Sequence, residues 1–231
     1  MFLPLGDDQI EGGHRPLFAY GFIAVNVLIF IYQASLGPQA GEAFVYEWGA
    51  IPARIEAGDG YWTLITSMFM HGGWMHLIGN MLYMWIFADN IEATIGSTAF
   101  VIFYLLGGIA AGLCHLYFNA GSNIPAVGAS GALSAVMGAY IVMFPRSNVR
   151  GFLFFFSVSI PAWIFLGFWF YQQYSAGYAS LGNEDTTNIA WWAHIGGFVF
   201  GVLAGFYFRC AYAVPRASEG FRHRRNNRPR V

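Results

Sequence analysis

The sequence predicts an all-α, polytopic membrane protein of six transmembrane helices, and three observations predict it. Of 231 residues, 57% are hydrophobic and only 10% charged, against about 25% charged in a soluble domain. Six apolar segments approach the roughly 20 residues a helix needs to cross about 30 Å of hydrocarbon. The arginines, finally, fall almost entirely on one side of the topology those segments define.

The segments occupy 17–36, 74–88, 98–118, 127–145, 151–171 and 189–208, and none contains Asp, Glu or Arg. The second and fourth are short. The fifth carries Pro161 in its middle, which predicts a kinked helix. The long connection 37–73 ends in an aromatic-rich stretch, 61–70, that reads as interfacial or partly re-entrant. With the N-terminus inside, Arg15, Arg146, Arg150, Arg209 and the six arginines from Arg216 onward share one side, and Arg54 stands alone on the other. Ten against one is a strong positive-inside bias, and it puts both termini in the cytosol. Glu184 and Asp185 then fall outside, where the rule is indifferent to them.

This divides the chain into a cytosolic N-terminal segment, 1–16, a six-span domain, 17–208, and a basic cytosolic tail, 209–231. The tail reads as a flank against anionic lipid and not as a nucleic-acid patch. Asp7, Asp8 and Glu11 precede the first span without a basic run, so that span is expected to stay as a helix and not to be cleaved. Cys114 and Cys210 have no metal or redox spacing, and the topology puts Cys114 near the outer end of span three and Cys210 near the inner end of span six.

Ionisable and polar side chains inside membrane helices are costly and become functional candidates by default. His76 opens span two, and Asn80 follows four residues later on the same helical face. Ser130 opens span four within Gly128-Ala129-Ser130-Gly131, and His194 stands near the start of span six. Spans two, four and six run in the same direction, so all these positions share one depth near the outer surface. Gly197, Gly201 and Gly205 form a small-residue stripe after His194, and span four offers Gly131, Ala135 and Gly138. Stripes of this kind let membrane helices meet backbone to backbone. From 130 to 144, span four supplies only about 22 Å of helix, so its outer end is sunken. Irregular backbone at that depth requires a cavity.

A serine hydroxyl needs a base to become a nucleophile, and a neutral imidazole supplies one. The amide of Asn80, the ring of His76 and the backbone N–H of Ser130 at a helix N-terminus are suitable donors for an oxyanion. No span contains a carboxylate, so the arrangement is a Ser130–His194 dyad and what orients His194 stays open. His71 and His76 lack the carboxylate and spacing of a metal site, so neither a metal nor a cofactor is expected. His71, His115, His14 and His223 read as structural or interfacial.

The chain resembles the rhomboid intramembrane serine proteases. The resemblance rests on His71-Gly-Gly-Trp-Met-His76-Leu-Ile-Gly-Asn80, on Gly128-Ala-Ser130-Gly131 and on Ala193-His194-Ile-Gly-Gly197, in the family's order and on the matching spans. It extends over about 16–208 and includes Asp89-Asn90-Ile91-Glu92 and Gly96. It implies cofactor-free peptide hydrolysis in the bilayer through an acyl-enzyme, with Ser130 as nucleophile, His194 as base, and His76 and Asn80 on the oxyanion. It implies single-span membrane proteins as substrates, cut at small residues within or near their transmembrane segment. The family's substrate route lies between spans two and five, where Phe165, Phe168 and Trp169 face either a mobile gate or lipid. Some family members carry an aromatic residue one turn after the nucleophile; here Ser134 stands there. Glu92 matches a family position and is expected to be structural. A bacterial inner membrane suits the chain.

Two other classes compete. A catalytically silent, client-binding relative would lack Ser130 or His194. A transporter or channel would show inverted repeats or deep pathway charges, and the sequence shows neither.

Overall fold

The computed structural model describes residues 2–8, 16–181 and 189–214. Arg15, His14, Glu11, Glu184, Asp185, His223 and the basic stretch 216–230 lie outside the described residues. The chain is mostly helical, with a three-stranded sheet that corrects the all-α expectation. After strand β1 (Phe2–Gly6) come helices α1 (Leu17–Ser35), α2 (Pro38–Trp48), α3 (Pro52–Glu56) and α4 (Thr63–Thr66). Helices α5 (Trp74–Ile95), α6 (Ser97–Phe118) and α7 (Ser130–Met143) follow. The hairpin β2 (Asn148–Leu153) and β3 (Phe156–Pro161) then precedes α8 (Ala162–Ser180) and α9 (Trp191–Ala211). Among the described residues, α1, α6 and α9 are long and apolar enough to cross a membrane, and α7 is a shorter apolar helix. Helices α5 and α8 span 22 and 19 residues but are less apolar.

Helix α7 is the axis of the fold. Residues Gly131 through Tyr140 are all buried, enclosed by α5, α6, α8 and α9. The glycine stripe on α9 meets it directly. A Cβ on Gly197 would strike the carbonyl of Gly131, and one on Gly201 the carbonyl of Ala135; on Gly205 it would stand 3.0 Å from Cα of Ala139. Both numbers rise together, so α7 and α9 run parallel. Gly138 faces α9 too, where a Cβ would meet the carbonyl of Phe198. On α6 the order reverses, with Gly107 against Ala135 and Gly108 against Ala132, so α6 runs antiparallel.

Segment 151–171 is not one span. Its first half is the hairpin, and Pro161 caps the start of α8 without kinking its middle. The reason is local: the hairpin turns at Phe154 (φ 56°), and β3 alternates through Ser157, Val158 and Ser159. A proline without an N–H fits a helix start, where no intrahelical acceptor is available to it. The hairpin tip is apolar and exposed, with Phe155 95% accessible.

The N-terminal segment is structured as well: β1 pairs antiparallel with β2. The Asp7 carboxylate accepts from Asn90 Nδ2 of α5 at 2.7 Å and from the Tyr140 hydroxyl of α7. Asp8 accepts from the N–H and Nδ2 of Asn148, both at 2.9 Å, and pairs with Arg150 at 2.9 Å. Both carboxylates are buried, which is tolerable because each is so densely bonded. Helix α5 continues past position 88 for the same reason. Its Glu92, fully buried, accepts from the N–H groups of Phe18 and Ala19 at 3.2 and 2.8 Å. It thus caps the orphan donors of α1.

Replacing Gly201 by Val should cost about 1–3 kcal/mol of stability in detergent, because backbone carbonyl cannot yield. Gly21→Ala, with open space around it, should cost nothing. Equal unfolding temperatures for both variants would contradict the parallel α7–α9 contact.

Candidate active site

Helix α7 begins after a turn that only glycine makes without strain. Gly128 has φ 128°, and its N–H donates to the Ser67 carbonyl at 2.9 Å. A Cβ at this position would stand 2.7 Å from both Cε1 and Nε2 of His76 and 3.5 Å from Nδ2 of Asn80. The missing side chain thus lets the approach to Ser130 lie against both α5 residues. Ser130 opens α7, and the first helical bond runs from Leu133 N–H to the Ala129 carbonyl. The N–H groups of Ser130, Gly131 and Ala132 therefore have no intrahelical acceptor.

On the other side stands His194, the fourth residue of α9. Its Nε2 is 2.8 Å from Ser130 Oγ, a hydrogen bond between parallel helices 64 residues apart in sequence. Backbone contact through Gly197 and Gly201 sets that reach. Nδ1 lies 2.8 Å from Oε1 of Gln173 on α8. The rings of Trp169 and Trp191 flank the imidazole at 5.9 and 6.3 Å between centroids. Ser134, one turn after Ser130, donates to the Ser130 carbonyl at 2.6 Å. Aromatic company for His194 comes from α8 and α9. Of the α8 rings, Phe165 packs on Tyr83 and Phe87 of α5, Trp169 faces His194 and Phe168 is exposed.

Asn80 is pinned by His71, whose Nε2 is 2.9 Å from Asn80 Nδ2. The amide can only donate there, so Nε2 of His71 accepts and its proton sits on Nδ1. His71 is fully buried and is held by Gln33, which donates to its carbonyl at 2.8 Å. His76 Nδ1 accepts from the N–H of Gly72 at 3.4 Å, which leaves its Nε2 edge toward Gly128. The four predicted residues therefore gather around the Gly128–Ser130 turn, Ser130 and His194 in direct contact, His76 and Asn80 against Gly128.

A cavity of about 40 Å³ adjoins this turn, lined among others by Ser67, Met68, Gly112, His115, Gly128 and Ser130. That volume admits water. His194, His76 and Asn80 do not line this cavity. Sequence reasoning missed Gln173. Its one sequence signal is polarity, a glutamine pair inside an aromatic helix.

A family model for the Rhomboid domain matches residues 58–210, well over half of the chain. The chain belongs to the rhomboid family. Among curated proteins it is similar to the Rhomboid protease GluP of Bacillus subtilis, 30% identical over 203 residues, which are 88% of this chain and 36% of GluP. It is 32% identical over 169 residues to the mitochondrial Rhomboid protein 1 of Saccharomyces cerevisiae, covering 71% of this chain and 44% of that protein. With the Rhomboid protease GlpG of Yersinia pestis it shares 24% identity over 80% of this chain and 59% of that one. The chain thus spans between 36% and 59% of the length of these relatives. This rhomboid is, by its family and its apolar helices, an integral membrane protein.

Gly128→Ala adds a methyl group against the His76 ring in a strained backbone region. Its stability in detergent should fall by about 1–3 kcal/mol, read as a lower unfolding temperature. An unchanged unfolding temperature would contradict the placement of His76 and Asn80 beside this turn.

Proposed function

We propose that this rhomboid is an intramembrane serine endopeptidase. In this reading it has six membrane-crossing helices, α1, α5, α6, α7, α8 and α9, with both termini cytosolic in a bacterial cell membrane. The arginine bias supports the orientation, and the lengths of α5 and α8 support the two less apolar crossings. The observation that carries the activity is the 2.8 Å contact between Ser130 Oγ and His194 Nε2. It joins a hydroxyl, a proton acceptor and a helix N-terminus within apolar surroundings.

Ser130 attacks the scissile carbonyl while His194 Nε2 takes the hydroxyl proton, giving a tetrahedral oxyanion. Asn80 Nδ2, the Nε2–H of His76 and the free N–H groups opening α7 stabilise that charge, the helix dipole adding to them. His194 returns the proton to the leaving amine, and an acyl-enzyme remains on Ser130. Water, admitted through the cavity beside Ser130, then hydrolyses the ester with His194 again as base. No metal or cofactor takes part.

The substrates are single-span membrane proteins, cut within or near the transmembrane segment. A peptide bond there must leave its helix to be attacked, since helical carbonyls are bonded internally. Substrates with helix-weakening residues near the cut meet that requirement.

The test is cleavage of a single-span substrate by the purified protein in detergent. Ser130→Ala and His194→Ala should each reduce cleavage by more than about a thousandfold, with a fluorophosphonate labelling wild type but not Ser130→Ala. Cleavage at the wild-type rate in both variants would dispose of the proposal.

A further inference from the structure

A neutral imidazole carries one N–H and one lone pair, and its neighbours decide which nitrogen has which. For His194 the neighbours are Ser130 Oγ at Nε2 and Gln173 Oε1 at Nδ1, each at 2.8 Å. The orientation of the Gln173 amide is itself determined. Its Nε2 donates to the carbonyl of Trp169, one turn back on α8, at 3.3 Å, which directs Oε1 at the imidazole. Turned the other way, Oε1 would face the Trp169 carbonyl, and two acceptors would oppose each other.

We infer that Gln173 is the positioning residue for His194, holding it in the tautomer that leaves Nε2 free to take the Ser130 proton. A carbonyl oxygen only accepts, so Nδ1 carries the hydrogen and Nε2 presents its lone pair to Ser130. The bonds then run in one direction: Ser130 to His194, His194 to Gln173, Gln173 to the α8 backbone. This inference rests on the dyad reading of Ser130 and His194 and fills the place that no carboxylate fills. A neutral amide fits the setting. Gln173 is 8% exposed, and a buried carboxylate at this depth would carry a desolvation cost that an amide avoids. The titratable groups that act on His194 from the neighbouring helices are His76 of α5 and His115 of α6, both imidazoles.

The placement has a structural consequence. Ser130 and His194 are locked together by the α7–α9 contact, but Gln173 belongs to α8, whose contact with α5 includes the rings of Phe165, Tyr83 and Phe87. The tautomer of the base therefore depends on the seating of a third helix. Displacing α8 would leave the dyad in contact but remove the acceptor that orients it.

The test compares wild type, Ser130→Ala, Gln173→Leu and Gln173→Glu in lipid nanodiscs, measuring cleavage of a single-span substrate from about pH 5 to 9. Gln173→Leu should lower kcat by about 10–100-fold with KM changed less than about twofold. Gln173→Glu should retain activity and move the acid limb of kcat/KM upward by roughly one pH unit or more, because an anion beside Nδ1 favours the imidazolium. A merely structural glutamine would change thermal stability and leave that limb in place. An unmoved limb in Gln173→Glu overturns the inference even where Gln173→Leu fails to fold, as does a wild-type rate in a folded Gln173→Leu. If wild type cleaves no better than Ser130→Ala, the dyad reading itself has failed and this inference falls with it.

Discussion

The contact on which this structure depends is the backbone-to-backbone packing of α7 against α9. Gly197 lies over the carbonyl of Gly131 and Gly201 over that of Ala135, a closeness that no residue with a Cβ permits. In lipid there is no hydrophobic force to drive two apolar helices together, so close van der Waals packing between small residues carries the association. The same approach brings a hydroxyl at the top of one helix within 2.8 Å of an imidazole at the top of the other.

The two ends of α7 show a division of labour. At its C-terminal end, the helix is clamped by buried carboxylates: Tyr140 meets Asp7, Asn90 of α5 meets the same group, and Asp8 ties in the hairpin through Asn148 and Arg150. These charges have donors on several sides, as buried charges must. At its N-terminal end, the described groups are neutral donors and acceptors, and the helix opens on N–H groups without intrahelical partners. In the proposed reaction, a clamped C-terminal end and uncommitted donors at the N-terminal end let binding energy act on an oxyanion without first reorganising the protein.

Much of this site was legible in the sequence because membrane chains make polar residues conspicuous. His76, Asn80, Ser130 and His194 stood out against apolar helices, and the glycine period after His194 pointed to the helix that receives it. Two features were not legible, for different physical reasons. Gln173 lies 21 residues from His194, on a face of α8 that no periodicity distinguishes, and its partnership exists only once α8 is seated. The hairpin reads as helix in the sequence because Phe-rich strands and membrane helices are both continuous apolar runs. Only the pairing partner, β1, in a segment of unremarkable composition, separates them. Asp7 and Asp8 read as an ordinary acidic flank until Asn90, Tyr140 and Arg150 supply the reason for their burial.

In the proposed reaction, Ser130, His194 and the α5 donors converge on a single reacting atom. The most direct test is a crystal structure of the protein carrying an organophosphorus adduct. Phosphorus should be bonded to Ser130 Oγ, with one phosphoryl oxygen about 2.7–3.1 Å from Asn80 Nδ2 and from an N–H at the start of α7. His194 would remain beside the adduct on the leaving-group side. An adduct formed elsewhere, or a phosphoryl oxygen turned away from α5 into the lipid-facing side, would contradict it.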